Sequence, residues 1–304
     1  MPHPNAPVSG SRSARFLFAT SALTLLLATS GGNVAMAADN TVHQGGAHAA
    51  GQAGGKAANT PAQPGNAIPM AQAPGLARYL DDVYGHAYDA KRACWPTRVE
   101  DTDTCMKVDS LRRVQAGGED RYYAVLTGSP PPEETGHVTP GFVSAFVLRV
   151  TDGAPQPLAV LKSSAEGSFG NPPENWRLAA VGPGGYLGWI NSTGYTAQGY
   201  TVSQYLILAP YGNSISNLAH GVDEGYSNDG ACDEQDTACK IAILDTKLDI
   251  DDSDPNVRVY PLKITVTSRM GKQTAKDVVY TLPFDMKKWG WAPPADWPFK
   301  DLDR

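Results

Sequence analysis

The sequence predicts a mainly β domain, an antiparallel meander forming a β-sandwich or an open barrel, with one helix at its start. Three observations predict it. Short alternating apolar runs follow one another from Cys94 onward, each closed by a turn signal. Gly and Pro are abundant, 31 and 24 of 304 residues, which argues against a helical bundle. Only one stretch carries a helical apolar period.

The chain opens with a secretory pattern. Arg12 and Arg15 form a positive n-region, residues 16–29 (FLFATSALTLLLAT) an apolar h-region, and Ala35-Met36-Ala37 a cleavage motif. The reading is a signal peptide over 1–37. A helix over the h-region would reach about 21 Å, short of a hydrocarbon core of roughly 30 Å. Removing it lowers the formal charge from −6 to −8. Localisation is therefore expected to be periplasmic or extracellular, with no transmembrane segment in the mature chain. Residues 38–75 are mostly Ala, Gly, Gln and Pro, with almost nothing large to bury, and read as a disordered linker.

A single disulfide-bonded domain is expected over 76–304. It begins with a helix over 76–91, where Leu76, Tyr79, Leu80, Val83, Tyr84 and Ala87 share one face. About eleven strands follow, near 106–115, 121–127, 142–150, 157–162, 175–181, 186–191, 200–208, 214–219, 240–250, 257–267 and 274–282. Turns such as Gly117-Gly118, Asp152-Gly153, Gly182-Pro183-Gly184-Gly185 and Gly271 separate them. Residues 136–150 align with 194–208 at an offset of 58, suggesting two related four-stranded units. A propeller-like arrangement is the alternative, although about 229 residues hold three such units and propellers use at least four.

Four cysteines in an oxidising compartment imply two disulfides, and proximity favours Cys94 with Cys105 and Cys232 with Cys239. The tight C-x-x-C spacing of a four-cysteine metal site is absent. No run of Lys or Arg offers a basic face, so nucleic acid is not an expected partner.

Motifs for a P-loop, a nucleophile elbow or a zinc protease are missing. His220, Asp223 and Ser227 fall within eight residues and hold the groups of a serine hydrolase, but on one Gly-rich loop, which orients them poorly. Asp229, Asp233 and Asp236 lie in an acidic loop, and Asp249 and Asp251 lie on the segment behind it. Calcium needs about six converging oxygens, so this set is the candidate calcium site and calcium the one possible cofactor. Trp289, Trp291 and Trp297 crowd a Pro-broken tail. They either strap the domain or, with Trp189 and Tyr195, form an aromatic binding surface for a glycan or a protein. The expected role is non-catalytic binding of an envelope protein or glycan, as an interaction or inhibitor-like module. A secreted hydrolase using the 220–229 loop and a calcium-stabilised structural protein are the alternatives.

Overall fold

The computed structural model describes residues 64–99, 101–232, 239–300 and 302. The signal-peptide reading and most of the linker reading lie outside them.

The helix α1 spans Leu76–Tyr84 and buries Leu76, Leu80 and Tyr84, one residue per turn on one face. It ends before the expected position 91. Gly85 adopts φ 72° and its N–H donates to the Asp81 carbonyl at 2.9 Å, a left-handed stop that glycine takes without steric cost. The Asp81 carboxylate then accepts the Tyr88 N–H at 3.0 Å and the Trp95 indole N–H at 2.8 Å, so the chain turns back instead of continuing as helix.

The strands are β1 (Asn66–Ala67), β2 (Trp95–Val99), β3 (Thr102–Ala116), β4 (Glu119–Gly128), β5 (Gly141–Thr151), β6 (Ala154–Glu166), β7 (Arg177–Gly182), β8 (Tyr186–Ala197) and β9 (Tyr200–Tyr211). They continue with β10 (Ser214–Asn217), β11 (Asp223–Ser227), β12 (Ala242–Ile250), β13 (Leu262–Met270), β14 (Gln273–Thr274), β15 (Val278–Leu282), β16 (Phe284–Asp285) and β17 (Gly290–Trp291). The fold is mainly β and its pairing antiparallel, apart from one parallel contact where Ser214 of β10 meets Val160 of β6. The main path runs from β1 and β3 to β13 and β14, with no pairing between its ends among the described residues. The sheet is thus open, as in a sandwich, and not a closed barrel.

The propeller alternative fails on connectivity. Residues 201–204 of β9 pair with β8 along one edge and with β11 along the other, and residues 208–211 pair with β10. Propeller blades are separate sheets, whereas these units share one ladder. The two segments aligned at the 58-residue offset contain β5 and β9. Both are interior strands with an apolar residue on each face, which is what makes their sequences alike.

Three apolar clusters stack the layers. The outermost joins α1 to Tyr122, Ala124 and Leu126 of β4 and Phe142, Phe146 and Leu148 of β5. Alternate residues of the same strands, Tyr123, Val125, Val143, Ala145 and Val147, face Leu187 and Trp189 of β8 and Leu206 and Leu208 of β9. Ile190, Ile207 and Ala209, on the far side of β8 and β9, pack with Leu244, Leu262 and Ile264 of β12 and β13 and with the tail residues Trp291, Trp297 and Phe299. Double-sided burial explains the apolar runs at 145–148 and 205–209.

Several strands depart from the sequence expectation, among them the one expected over 274–282, which is strand only at Thr274 and at Val278–Leu282. β2 carries Pro96, which reads against a strand, but β2 pairs only with β3 and an edge tolerates a missing N–H. β11 occupies part of the expected Gly-rich loop because β9 and β12 hydrogen-bond it on both sides. The expected strand at 257–267 begins only at Leu262.

Candidate functional site

A groove of about 890 Å³ lies beside the β2–β3 hairpin. One wall is the hairpin, closed by the Cys94–Cys105 disulfide with its Cα atoms 5.4 Å apart, as the local pairing expected. Trp95 and Met106 are a cross-strand pair, fully buried against α1, and anchor the hairpin from behind. The other wall is Ser129 to Glu133 with Pro172 and Glu174.

The walls are tied together at the floor. The Thr104 hydroxyl donates to the Ser129 carbonyl at 2.9 Å. Gly128 lets the segments approach, since a Cβ there would stand 2.5 Å from Met106 Sδ and 2.8 Å from Thr104 Oγ1. The second wall is also fixed. Pro130, Pro131, Pro132 and Pro172 have locked φ angles, and the Asp109 carboxylate accepts the N–H groups of Asn175 at 2.8 Å and Trp176 at 3.0 Å. Asn191 donates to the Glu174 carbonyl at 2.8 Å.

Basic side chains predominate on the hairpin wall, where Asp103 also lines the groove, and acidic ones on the proline wall. Arg92, Arg98 and Lys107 belong to the hairpin side, and Glu133 and Glu174 to the proline side. Arg98 reaches Asp101 at 3.7 Å and Asp103 at 3.9 Å. Arg92, Lys107, Glu133 and Glu174 make no ion pair among the described residues, which leaves both signs open to a partner. Sequence reasoning missed these residues. The signal was present: pairing Cys94 with Cys105 brings Arg92, Arg98 and Lys107 onto one hairpin, and the Pro-Pro-Pro-Glu-Glu run at 130–134 supplies a stiff facing wall.

The hydrolase constellation is not assembled. Asp223 and Ser227 sit at opposite ends of β11, opposite Gln204 and Thr201 of β9. The Ser227 hydroxyl donates to Asp229 at 2.6 Å. Asp223 is buried and accepts the Trp297 indole N–H at 2.9 Å and the Gln204 amide at 3.4 Å. His220 precedes β11 and is exposed. Its charge acts instead on Glu166, whose carboxyl is held above its ordinary range by burial, against an opposing hydrogen bond from Ser164 and that pull from His220.

The described acidic residues of the candidate calcium site do not converge either. Asp229 follows β11, whose Ser227 pairs with Ile243 of β12. Asp249 is six residues further along β12, about 20 Å away at strand rise. Lys247 neutralises Asp249 at 3.0 Å and Lys263 neutralises Asp251 at 3.0 Å. No group of three metal-ligating side chains occurs among the described residues. Asp233 and Asp236 lie outside them. Cys232 and Cys239 are paired, with Cα atoms 5.6 Å apart.

The tail is a strap. Trp291 donates to the Tyr260 carbonyl at 2.9 Å and Trp297 to Asp223, and both rings are buried. Trp189 is also in the core, 5.5 Å from Tyr123. Burial therefore removes Trp189, Trp291 and Trp297 from the expected aromatic surface. Trp289 is half-buried, 4.5 Å from Tyr211 and 5.0 Å beneath the Arg258 guanidinium. Tyr195 alone of the five stands substantially in solvent, at 48% exposure.

Among the described residues no helix is long and apolar enough to cross a membrane. No protein-family model matches the chain, and neither does any curated protein or solved structure.

Proposed function

We propose that this is a non-catalytic binding protein of an oxidising compartment outside the cytoplasm, and that the groove beside the β2–β3 hairpin receives a polypeptide segment of a partner protein. The observation that carries the reading is the pair of fixed walls, one presenting Arg92 and Lys107 and the other Glu133 and Glu174, none of them in an ion pair among the described residues. A drug-like ligand favours a mostly apolar pocket, and the lining of this groove mixes polar and apolar surface about equally. A polypeptide carries both signs, lays its length along two walls, and meets hydrogen-bonding groups throughout. Fixed walls lower the ordering cost of association. The scattering of His220, Asp223 and Ser227 favours binding over hydrolysis, and the two disulfides fit an oxidising compartment. A periplasmic or extracellular location, with an envelope protein as the partner, is the finer form of this proposal.

The test is recovery of the tagged, mildly cross-linked mature chain from its own envelope, with Arg92→Glu/Lys107→Glu beside it. A stoichiometric companion held by the parent chain, weakened by salt and lost from the double variant, is the expected result. A companion retained by the double variant removes the groove from the reading. Ester hydrolysis abolished by both Ser227→Ala and His220→Ala overturns it in favour of a hydrolase.

A further inference from the structure

We propose that the outer end of the β8–β9 ladder carries a second site, separate from the groove, that binds one neutral sugar ring. Two cross-strand pairs lie there, Thr193 with Gln204 and Tyr195 with Val202, one register position apart with Gly194 and Ser203 between them. Together with Gly167 and Gly194 they line a pocket of about 210 Å³. The chain leaving β6 forms its wall: the Gly167 N–H donates to Thr193 Oγ1 at 2.9 Å, and the Ser168 hydroxyl donates to the Gly194 carbonyl at 3.2 Å. This wall is main chain packed at glycine distance, since a Cβ on Gly167 would lie 2.0 Å from the Asn171 carbonyl oxygen.

The lining selects the ligand. It holds no charged side chain. The neighbouring carboxylates are engaged elsewhere, Asp223 by Trp297 and Gln204, and Glu166 by Ser164 at 2.7 Å. An ionic ligand would be desolvated without a counter-charge. A wholly apolar ligand would leave Thr193 and Gln204 facing it unpaired. The Thr193 hydroxyl accepts from Gly167 and keeps its own proton to donate. Gln204 donates toward Asp223 and keeps its amide oxygen to accept. The Tyr195 ring has no aromatic partner among the described residues and offers an open face. A sugar ring matches these three features at once: an apolar C–H face for Tyr195, and hydroxyls that accept from Thr193 and donate to Gln204. The volume is below the roughly 300 Å³ at which drug-sized ligand sites begin, which limits the occupant to about one ring.

Saturation-transfer NMR on the mature chain with glucose, galactose, mannose and N-acetylglucosamine, beside glucuronate as a charged probe, tests this. Transfer to at least one neutral sugar is expected. Its affinity falls about tenfold in Tyr195→Ala, where the stacking face is gone, and survives in Tyr195→Trp. Tyr195 is exposed, so both variants fold, which near-ultraviolet circular dichroism verifies. Arg92→Glu/Lys107→Glu retains the sugar signal, so this test and that of the groove are independent. Absence of transfer from every neutral sugar, transfer unchanged in Tyr195→Ala, or a preference for glucuronate overturns the proposal.

Discussion

Two short cysteine-bridged segments stand at different places in the ladder, and they are held in different ways. Cys94 and Cys105 close a hairpin that is apolar behind: Cys94, Trp95 and Met106 are buried, and the Trp95 indole is tied to α1 through Asp81. Cys232 and Cys239 bracket the acidic loop, and the chain beside them is braced by polar contacts. Asn228 donates to the Lys240 carbonyl at 3.1 Å and accepts the Ala242 N–H at 2.6 Å. The same covalent link thus completes a packed wall in one region and joins chain held by polar contacts in the other. The lesson is that a disulfide's contribution depends on what the chain around it already buries.

Chain entropy alone barely separates the two bridges. Their sequence separations of 11 and 7 correspond to about 2.8 and about 2.4 kcal/mol. Packing makes the difference. Trp95→Ala should cost about 3–5 kcal/mol, the range for deleting a buried aromatic ring, read as a shift in urea midpoint at constant slope. Cys94→Ala/Cys105→Ala should exceed its entropic value, because it also loosens the wall that Trp95 and Met106 anchor. Cys232→Ala/Cys239→Ala should stay near about 2 kcal/mol. Equal costs for the two double variants would break the comparison.

A smaller effect is expected from Glu166. Burial raises its pKa, against the Ser164 hydrogen bond and the charge of His220. The ionised form is the costly one, so the folded chain holds the proton more tightly than the unfolded chain. Stability therefore falls as pH rises from the ordinary glutamate value, about 4.3, through the raised folded value, and is level above it. Glu166→Gln should melt slightly higher than the parent at neutral pH, with the gap closing below the ordinary value. A gap of the same size at every pH would assign the change to packing.

The smallest expected effect is that of calcium. Among the described residues Asp229 lies near one end of β12 and Asp249 and Asp251 at the other, the last two paired with lysines, so saturating calcium and chelator should give the same melting midpoint. A rise in calcium would mean native-state binding and would make the acidic loop an ordered ion site.

Much of the strand pattern was legible because turn chemistry is local. Gly117-Gly118, Asp152-Gly153 and Gly184-Gly185 all adopt positive φ, or do so at their glycine, between the strands expected there. β11 was not legible: Asp223 to Ser227 has no strand periodicity, and only neighbours distant in sequence make it a strand. The groove was missed for a related reason. Arg92, Lys107, Glu133 and Glu174 carry no motif, and their meaning arises when the hairpin and the proline run face each other. Tyr195 could be named from sequence as an aromatic on a sheet, but its exposure, and the burial of Trp189, depend on which layer covers which end of β8.

The tail residues Trp291, Trp297 and Phe299 follow in the chain every strand they cover. The cluster around Asp223 and Tyr260 therefore stays open until residues 291–299 have emerged during synthesis. A translation product cut short before Trp291 would display a wet apolar face and a buried-type carboxylate without its indole. That is the kind of surface quality-control proteases and holding chaperones act on. The strap makes the arrival of residues 291–299 a condition for closing this cluster.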